Sequence, residues 1–321
     1  MTPPRVPLAV LPTALERMPR LERALGAGPL YVKRDDLTGF GVAGNKARAL
    51  EYLLGAALAD DADVLVAAGS PSSNFCAAAA LAAARVGLEC QLLIAGAAPS
   101  TPSVNLEMAK AAGARLLYDK VARREDLDSA VEDHAADLRA AGRRPMPVPR
   151  GGATATGSLG YAYAARELAE QSEHRGTTIH TVVVATGSGA TQAGLVAGQV
   201  GFGLPWRVVG ASVSRPADSL ADQMLRTSRE CAKSIDLEPP TADDVDLRDC
   251  RGEGFGIASD DDRRSARLAL THEGLLLDDY YGAKALTLFR TLLADSASTP
   301  AVFWHTGGVA AALTALRQGA R

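Results

Sequence analysis

Val182-Val-Val-Ala-Thr-Gly-Ser-Gly-Ala-Thr-Gln-Ala-Gly194 is the stretch that decides how this chain is read. A β-branched run gives way to a glycine and hydroxyl loop, and then to a helix start. Glycines let such a turn aim several backbone N–H groups into one concavity, where the helix dipole adds partial positive charge. A phosphate is the natural guest; a tight turn with no ligand is the other reading. The guest can be narrowed. A dinucleotide fingerprint needs a third glycine where Gln192 stands, and an acidic residue ~20 positions on, where Ala211–Arg215 has none. A Walker loop needs a following Gly-Lys-Ser/Thr, which is missing. A single phosphomonoester remains.

The same alternation of strand and helix continues outward in both directions. Short apolar runs at Leu30–Val32, Val64–Ala67, Gln91–Leu93, Arg207–Val209 and Ala301–Trp304 read as buried parallel strands. Between them, alanine- and leucine-rich stretches read as helices: Lys46–Leu58, Asn74–Val86, Val104–Ala112, Arg124–Ala141, Ser158–Gln171, Gln192–Gly198, Asp260–Thr271, Ala283–Leu293 and Ala310–Arg317. The fold class is therefore α/β, with mostly parallel, open twisted sheets and helices on both faces. The proline-rich segment Arg143–Pro149 reads as a turn, with a domain crossing near residue 150. The charged helix over Arg123–Asp137 is expected to face solvent.

Composition narrows the function classes. At 321 residues, one large domain or two is expected. With 34 Lys+Arg against 37 Asp+Glu, the net charge of −3 offers no basic field for a nucleic acid. Hydrophobic residues reach 47% but aromatics only 5%, which excludes disorder and disfavours a stacking surface. The longest apolar runs, such as Ala77–Ala84, fall far short of the ~20 residues that span a bilayer. The proline-broken N-terminal stretch does not read as a signal peptide. Cys76, Cys90, Cys231 and Cys250 lack CxxC spacing, so neither a metal ribbon nor a disulfide framework is expected. A cytoplasmic protein without metal or membrane contact follows.

Ligands of open parallel sheets sit beyond the carboxyl ends of the strands, so the loops there are the place to look. Tyr31-Val-Lys-Arg-Asp-Asp-Leu-Thr-Gly-Phe-Gly-Val-Ala-Gly-Asn-Lys46 runs into a helix. The field at a helix start disfavours a cation and would lower the pKa of Lys46, which suits a nucleophilic amine. Read alone, such a lysine is commonly just a surface residue. Gly69-Ser-Pro-Ser-Ser-Asn74 is either a carboxylate cradle or ordinary helix capping by Ser73 or Asn74. Val148-Pro-Arg-Gly-Gly-Ala-Thr-Ala-Thr-Gly157 is another glycine and hydroxyl loop. His305-Thr-Gly-Gly308 follows a strand, and His305 is either a catalyst or a hydrogen-bonded core histidine. Cys76 is either a reactive thiol at a helix start or a small core residue. Arg150 either pairs with an anionic group of a substrate, such as a sulfonate or second carboxylate, or faces solvent.

Taken together and in order, these segments resemble the fold type II pyridoxal-phosphate enzymes. Within them the chain is similar to the D-cysteine desulfhydrase / 1-aminocyclopropane-1-carboxylate deaminase family, over about Leu11 to Leu316. The likeness rests on Lys33-Arg-Asp-Asp-Leu-Thr, Gly44-Asn-Lys46, Gly151-Gly152, Leu159-Gly-Tyr161, the 187–191 loop, Tyr281 with Lys284-Ala285, and His305-Thr-Gly-Gly308. It implies pyridoxal 5'-phosphate held as a Schiff base by Lys46, which would also shuttle the substrate's α-proton. Gly187, Ser188, Gly189, Ala190 and Thr191 would cradle the phosphate. Asn74 would bond the ring hydroxyl, and Thr306 would meet the pyridine nitrogen. Ser72, Ser73, Thr154, Phe255 and Tyr281 would face the substrate, with Ser73 and Tyr281 taking catalytic parts.

The departures are as informative as the matches. The family's usual Gln-Ser-Asn-His reads Ser72-Ser73-Asn74-Phe75, and a common arginine is Ala77. The glutamate of the deaminase branch is Gly282, and Gly-Tyr-Gly reads Gly254-Phe255-Gly256. The cofactor machinery is kept while polar groups around the substrate are lost, which argues against opening a cyclopropane ring. The resemblance implies a large domain from 1–44 plus 156–321 and a small inserted domain from 45–155, with the cofactor in the cleft between them. It also implies a homodimer acting on a small β-substituted amino acid, D-cysteine- or cysteate-like, by β-elimination to pyruvate and ammonia. β-Replacement is the alternative, and a cofactor-binding protein without turnover a more distant one.

Overall fold

A computed structural model describes residues 2–118, 126–294 and 299–317. Ten strands are present: β1 (Leu15–Arg17), β2 (Leu30–Arg34), β3 (Val64–Gly69), β4 (Glu89–Ile94), β5 (Arg115–Leu117), β6 (Pro145–Val148), β7 (Thr181–Thr186), β8 (Arg207–Ser212), β9 (Asp246–Asp249) and β10 (Ala301–His305). The helices of the first half are α1 (Pro19–Leu25), α2 (Lys46–Ala59), α3 (Asn74–Val86), α4 (Val104–Ala111) and α5 (Leu127–Ala140). Those of the second half are α6 (Ala155–His174), α7 (Ala190–Gly201), α8 (Ala217–Ser234), α9 (Asp260–Glu273), α10 (Gly282–Leu292) and α11 (Val309–Arg317).

Two sheets organise these elements. One has the order β1-β2-β10-β7-β8-β9 and is parallel except for β1 against β2. The other, β5-β4-β3-β6, is wholly parallel. Helices cover both faces, and the alternation within β7 shows why its sequence is a continuous apolar run. Val182 and Val184 pack with Tyr161, Leu195 and Trp304 on one face, while Val183 and Ala185 pack with Phe289 and Phe303 on the other. Each fully buried valine stabilises by about 1.5–3 kcal/mol relative to exposure. A strand with one wet face would have shown alternation instead.

Three sequence expectations need correction. Arg143–Pro149 is not a turn throughout, because Pro145–Val148 forms β6 at the edge beside β3. Pro145 and Pro147 lie two apart, so both missing N–H groups fall on the outer edge, where no strand waits for them. Helices α1 and α8 and strands β1, β5 and β9 lie where no element was expected. The helix over Arg124–Ala141 begins at Leu127 among the described residues, its first positions lying outside them, and it buries Leu127, Val131 and Ala135 rather than merely facing solvent. No described helix is long and apolar enough to cross a membrane. No described group of His, Cys, Asp or Glu side chains is placed to hold a metal ion.

Candidate active site

Beyond the carboxyl ends of β3, β7 and β10 opens a cleft with about 880 Å³ of empty space, continuous with solvent. It brings together residues far apart in the chain: Lys46, Ser73 and Asn74 from one side, and Gly187, Ser188, Gly189, Thr191, Tyr281 and Thr306 from the other. Four expected site residues do not line it. Ala190 is buried as the first residue of α7, and Thr154 spends its Oγ1 on the Gly157 N–H at 3.0 Å. Ser72 lies behind the loop, its carbonyl accepting from Asn105 Nδ2 at 2.9 Å. Phe255 stands behind Tyr281, with ring centroids 5.7 Å apart.

Lys46 opens α2, and the approach to it is built tightly. The Asn45 N–H donates to the Thr306 carbonyl at 2.8 Å, and a Cβ on Gly44 would stand 2.5 Å from that same oxygen. Only glycine allows this contact, which pins the 306–308 loop to the lysine. Asn45 Nδ2 in turn donates to Thr191 Oγ1 at 2.9 Å, tying the lysine's approach to the glycine loop. Burial pulls the Lys46 amine down from its usual 10.5 to about 8. It makes no hydrogen bond and no ion pair with any described residue, unlike Lys33, which bonds Glu167, and Lys284, which bonds the Arg251 and Gly254 carbonyls. A partly buried, easily deprotonated amine with no protein acid beside it suits covalent attachment to a carbonyl compound.

Facing it, the 187–191 loop enters α7 through Gly189 at φ 102°, a conformation that favours glycine. Gln192, standing where a dinucleotide fold has its third glycine, is fully buried. It bonds Thr186 Oγ1 and the Asp246 carbonyl, both at 2.8 Å. That side chain borders the cleft beside the glycine loop. On the opposite wall Ser73 caps α3, its Oγ accepting the Cys76 N–H at 3.2 Å. Asn74 Oδ1 accepts from Asn105 Nδ2 at 2.8 Å, which leaves the Asn74 amide nitrogen to donate into the cleft.

The remaining doubtful residues resolve differently. Cys76 is a core residue, 1% exposed, with burial pushing its thiol up to about 11, so it is not a reactive thiolate. His305 is likewise a core residue: its Nδ1 accepts the Gly307 N–H at 3.3 Å, and burial lowers its pKa. Arg150 borders the cleft and is held by Asp128, Nη2 to Oδ2 at 2.8 Å. Asp278 was not anticipated. It is a buried carboxyl on the cleft wall, raised by burial from 3.8 to about 6.

Beneath the site lies a buried network that orders Lys33-Arg-Asp-Asp36. Asp35 accepts from Arg48 Nε and Nη2 at 2.9 Å, from Tyr161 Oη at 2.6 Å and from Thr13 Oγ1 at 2.7 Å. Glu167 accepts from Arg48 and Lys33. Two cations and two anions balance there. Arg48 lies two residues past Lys46, so this network anchors the helix that carries Lys46.

A family model described as "Pyridoxal-phosphate dependent enzyme" matches residues 6–307. A D-cysteine desulfhydrase of Klebsiella pneumoniae is 34% identical over 320 residues, 96% of this chain and 95% of its own. A crystal structure of an ACC deaminase homologue superposes with a TM-score of 0.91 at 32% identity, covering 99% of this chain and 95% of that one. A pyridoxal 5'-phosphate-dependent aspartate racemase shares the fold, with a TM-score of 0.66 at 15% identity over 92% of this chain and 89% of its own. A lysine amine without a partner among the described residues, facing a glycine loop at a helix start, fits the pyridoxal phosphate of this family. The chain belongs to the pyridoxal-phosphate dependent enzymes, within their deaminase and desulfhydrase family.

Proposed function

We propose that the protein is a lyase that removes the α-proton and the β-substituent of a small β-substituted amino acid, D-cysteine- or cysteate-like. With water, D-cysteine would yield pyruvate, ammonia and sulfide; cysteate would yield sulfite in place of sulfide. The observation that carries this reading is Lys46, an amine without a partner among the described residues, facing the 187–191 glycine loop across the cleft. Pyridoxal phosphate, when bound, supplies the electron sink that acidifies the substrate's Cα–H bond. The chain's own residues do the rest. The N–H groups of the 187–191 loop would hold the phosphate, Asn74 Nδ2 would donate to the ring hydroxyl, and Thr306 Oγ1 would meet the ring nitrogen. Lys46 Nζ takes the α-proton, and Ser73 Oγ donates to the substrate's carboxylate. Tyr281 orients the β-substituent or gives it a proton as it leaves.

The cleft is lined from beyond β3 of one sheet and β7 and β10 of the other, so approach of the 45–155 part toward the rest would exclude water. The same reading takes the enzyme to be a cytoplasmic homodimer. Purified protein incubated with D-cysteine, L-cysteine and cysteate should release pyruvate from at least one of them with no second substrate. Turnover only when an external nucleophile is added would instead establish β-replacement. Phe75 favours that alternative, since it presents an apolar ring to the cleft.

Ser73→Ala separates binding from folding. Losing a hydrogen bond to a carboxylate costs about 1.5–3 kcal/mol, so KM should rise roughly tenfold or more. Losing the cap of α3 should cost about 1 kcal/mol of stability, read from a urea midpoint. An unchanged KM would remove Ser73 from the substrate site.

A further inference from the structure

Asp278 is the one carboxylate among the described residues that line the cleft, and it is 1% exposed. It stands just ahead of α10. Its Oδ1 accepts the N–H groups of Tyr281 at 2.7 Å and Tyr280 at 2.9 Å, and its Oδ2 accepts that of Gly282 at 3.3 Å. Three donors that the start of a helix leaves without intrahelical partners are thereby gathered on one side chain. Tyr281 is the N-cap itself, at φ −132° and ψ −63°, and its ring edge lies 3.0 Å from where a Cβ on Gly187 would be. The carboxylate is also wedged from behind, since a Cβ on Gly308 would stand 2.1 Å from its Oδ2.

A surface aspartate would cap α10 as well at far lower cost. Burial opposes the charged form, and here only backbone N–H groups are seen to compensate it. The charged groups around it are turned elsewhere or stand across the cleft. Lys284 of α10 reaches the Arg251 and Gly254 carbonyls, and His305 of β10 is directed toward Asp36 at 3.7 Å. Arg150 is held by Asp128, and Lys46 of α2 opens into the cleft. The 187–191 and 306–308 loops bring only glycine, alanine and hydroxyl residues.

We propose that Asp278 is a positioning residue: as the anion it gathers the N–H groups of Tyr280, Tyr281 and Gly282, and so holds the Tyr281 ring at the glycine loop, facing the reacting amino acid. This rests on the reading of Tyr281 as a group acting on substrate. Protonation removes the charge that strengthens these three bonds, and the ring loosens. With a carboxyl raised to about 6, the anion predominates above that pH and is lost below it. Activity therefore rises with pH through about 6.

The test compares wild type, Asp278→Asn and Tyr281→Phe by two readouts. One is the pH profile of kcat/KM on the best substrate of the pyruvate assay. The other is hydrogen exchange of the 278–283 segment in cofactor-free protein, corrected for intrinsic rates. Displacing a group by about 1 Å costs on the order of 100-fold, so Asp278→Asn should lose that much near pH 8 and lack the acid limb. Exchange at 280–282 should be faster in Asp278→Asn, and in wild type should accelerate as pH falls past about 6. Should Asp278→Asn misfold, the wild-type exchange profile still decides. An acid limb retained in Asp278→Asn, or exchange protection unaffected by pH and by the substitution, overturns the proposal. If Tyr281→Phe keeps activity within about twofold, the reading of Tyr281 falls and this proposal with it. If Tyr281→Phe is impaired while Asp278→Asn behaves as wild type, only the present proposal falls.

Discussion

Replacing Lys46 with alanine is expected to abolish covalent cofactor attachment and to lower turnover by at least 10²–10⁴-fold, the usual contribution of one positioned proton-transfer group. The two other buried lysines are already engaged. Lys33 is locked to Glu167 at 2.5 Å, and Lys284 is turned to the Arg251 and Gly254 carbonyls. The 187–191 loop proposed to cradle the phosphate is untouched by the change, so the variant should still bind pyridoxal phosphate without a covalent bond. In the wild type, attachment has its own pH signature. An amine lowered to about 8 is neutral above that pH, so the rate of attachment to cofactor-free protein should rise through pH 8 and level off there, rather than climbing to about 10.5. Stopped absorbance measurements across that range check the sign: a rate still rising steeply between about pH 9 and 10.5 would mean that burial does not tune the amine.

The largest effect on stability is expected at Asp35. Burial alone would raise its carboxyl, but the Arg48 guanidinium, Lys33 and the Tyr161 hydroxyl together hold it down to about 2. A carboxyl lowered in the fold stabilises above its unfolded value near 3.8, so its contribution is fully present at neutral pH and is lost as pH falls through about 2. Asp35→Ala leaves Arg48 and Lys33 sharing Glu167, with two buried cations against one anion. Breaking a buried pair in this way costs about 3–5 kcal/mol, a large part of the ~5–15 kcal/mol that a folded protein has in reserve. Urea unfolding at neutral pH would show it. A loss below ~1 kcal/mol would mean that water or relaxation compensates the cations, and that the network does not anchor α2.

How much of this was legible in sequence follows from where each signal is written. The glycine loop at 187–191 was readable because its chemistry and its neighbours in space are consecutive in the chain. So were the buried strands, since a parallel sheet covered on both faces turns β7 into an unbroken apolar run. Helix α8 was missed because its overall composition is polar. Its buried side chains Leu220, Met224, Thr227, Ser228, Cys231 and Ala232 nonetheless recur at helical spacing, so a search for periodicity rather than richness would find it. Strand β6 was hidden by two prolines that an edge position tolerates.

The site shows the same division. Lys46, Ser73 and Tyr281 face one cleft, but Thr154 turns out to be occupied as a helix cap and Phe255 packs against the Tyr280 and Tyr281 rings without lining it. A loop's composition tells what it can bind, not which of its side chains points inward. Asp278 carried no sequence signal, since one of two adjacent aspartates before a helix reads as an ordinary solvated cap. Its importance lies in burial, which only packing against Gly308 and the glycine loop creates. The pairing of Asp35 with Tyr161, 126 positions apart, is likewise a property of the fold alone.

The central claim is that Lys46 carries the cofactor, and it can be met directly. The protein loaded with pyridoxal phosphate is reduced with borohydride, digested and mapped for the pyridoxyl group across its six lysines. The group should appear on the peptide containing Lys46 and on no other. Labelling of a different lysine in the folded enzyme, or a wild-type protein that binds the cofactor and yields no reduced adduct, would contradict it.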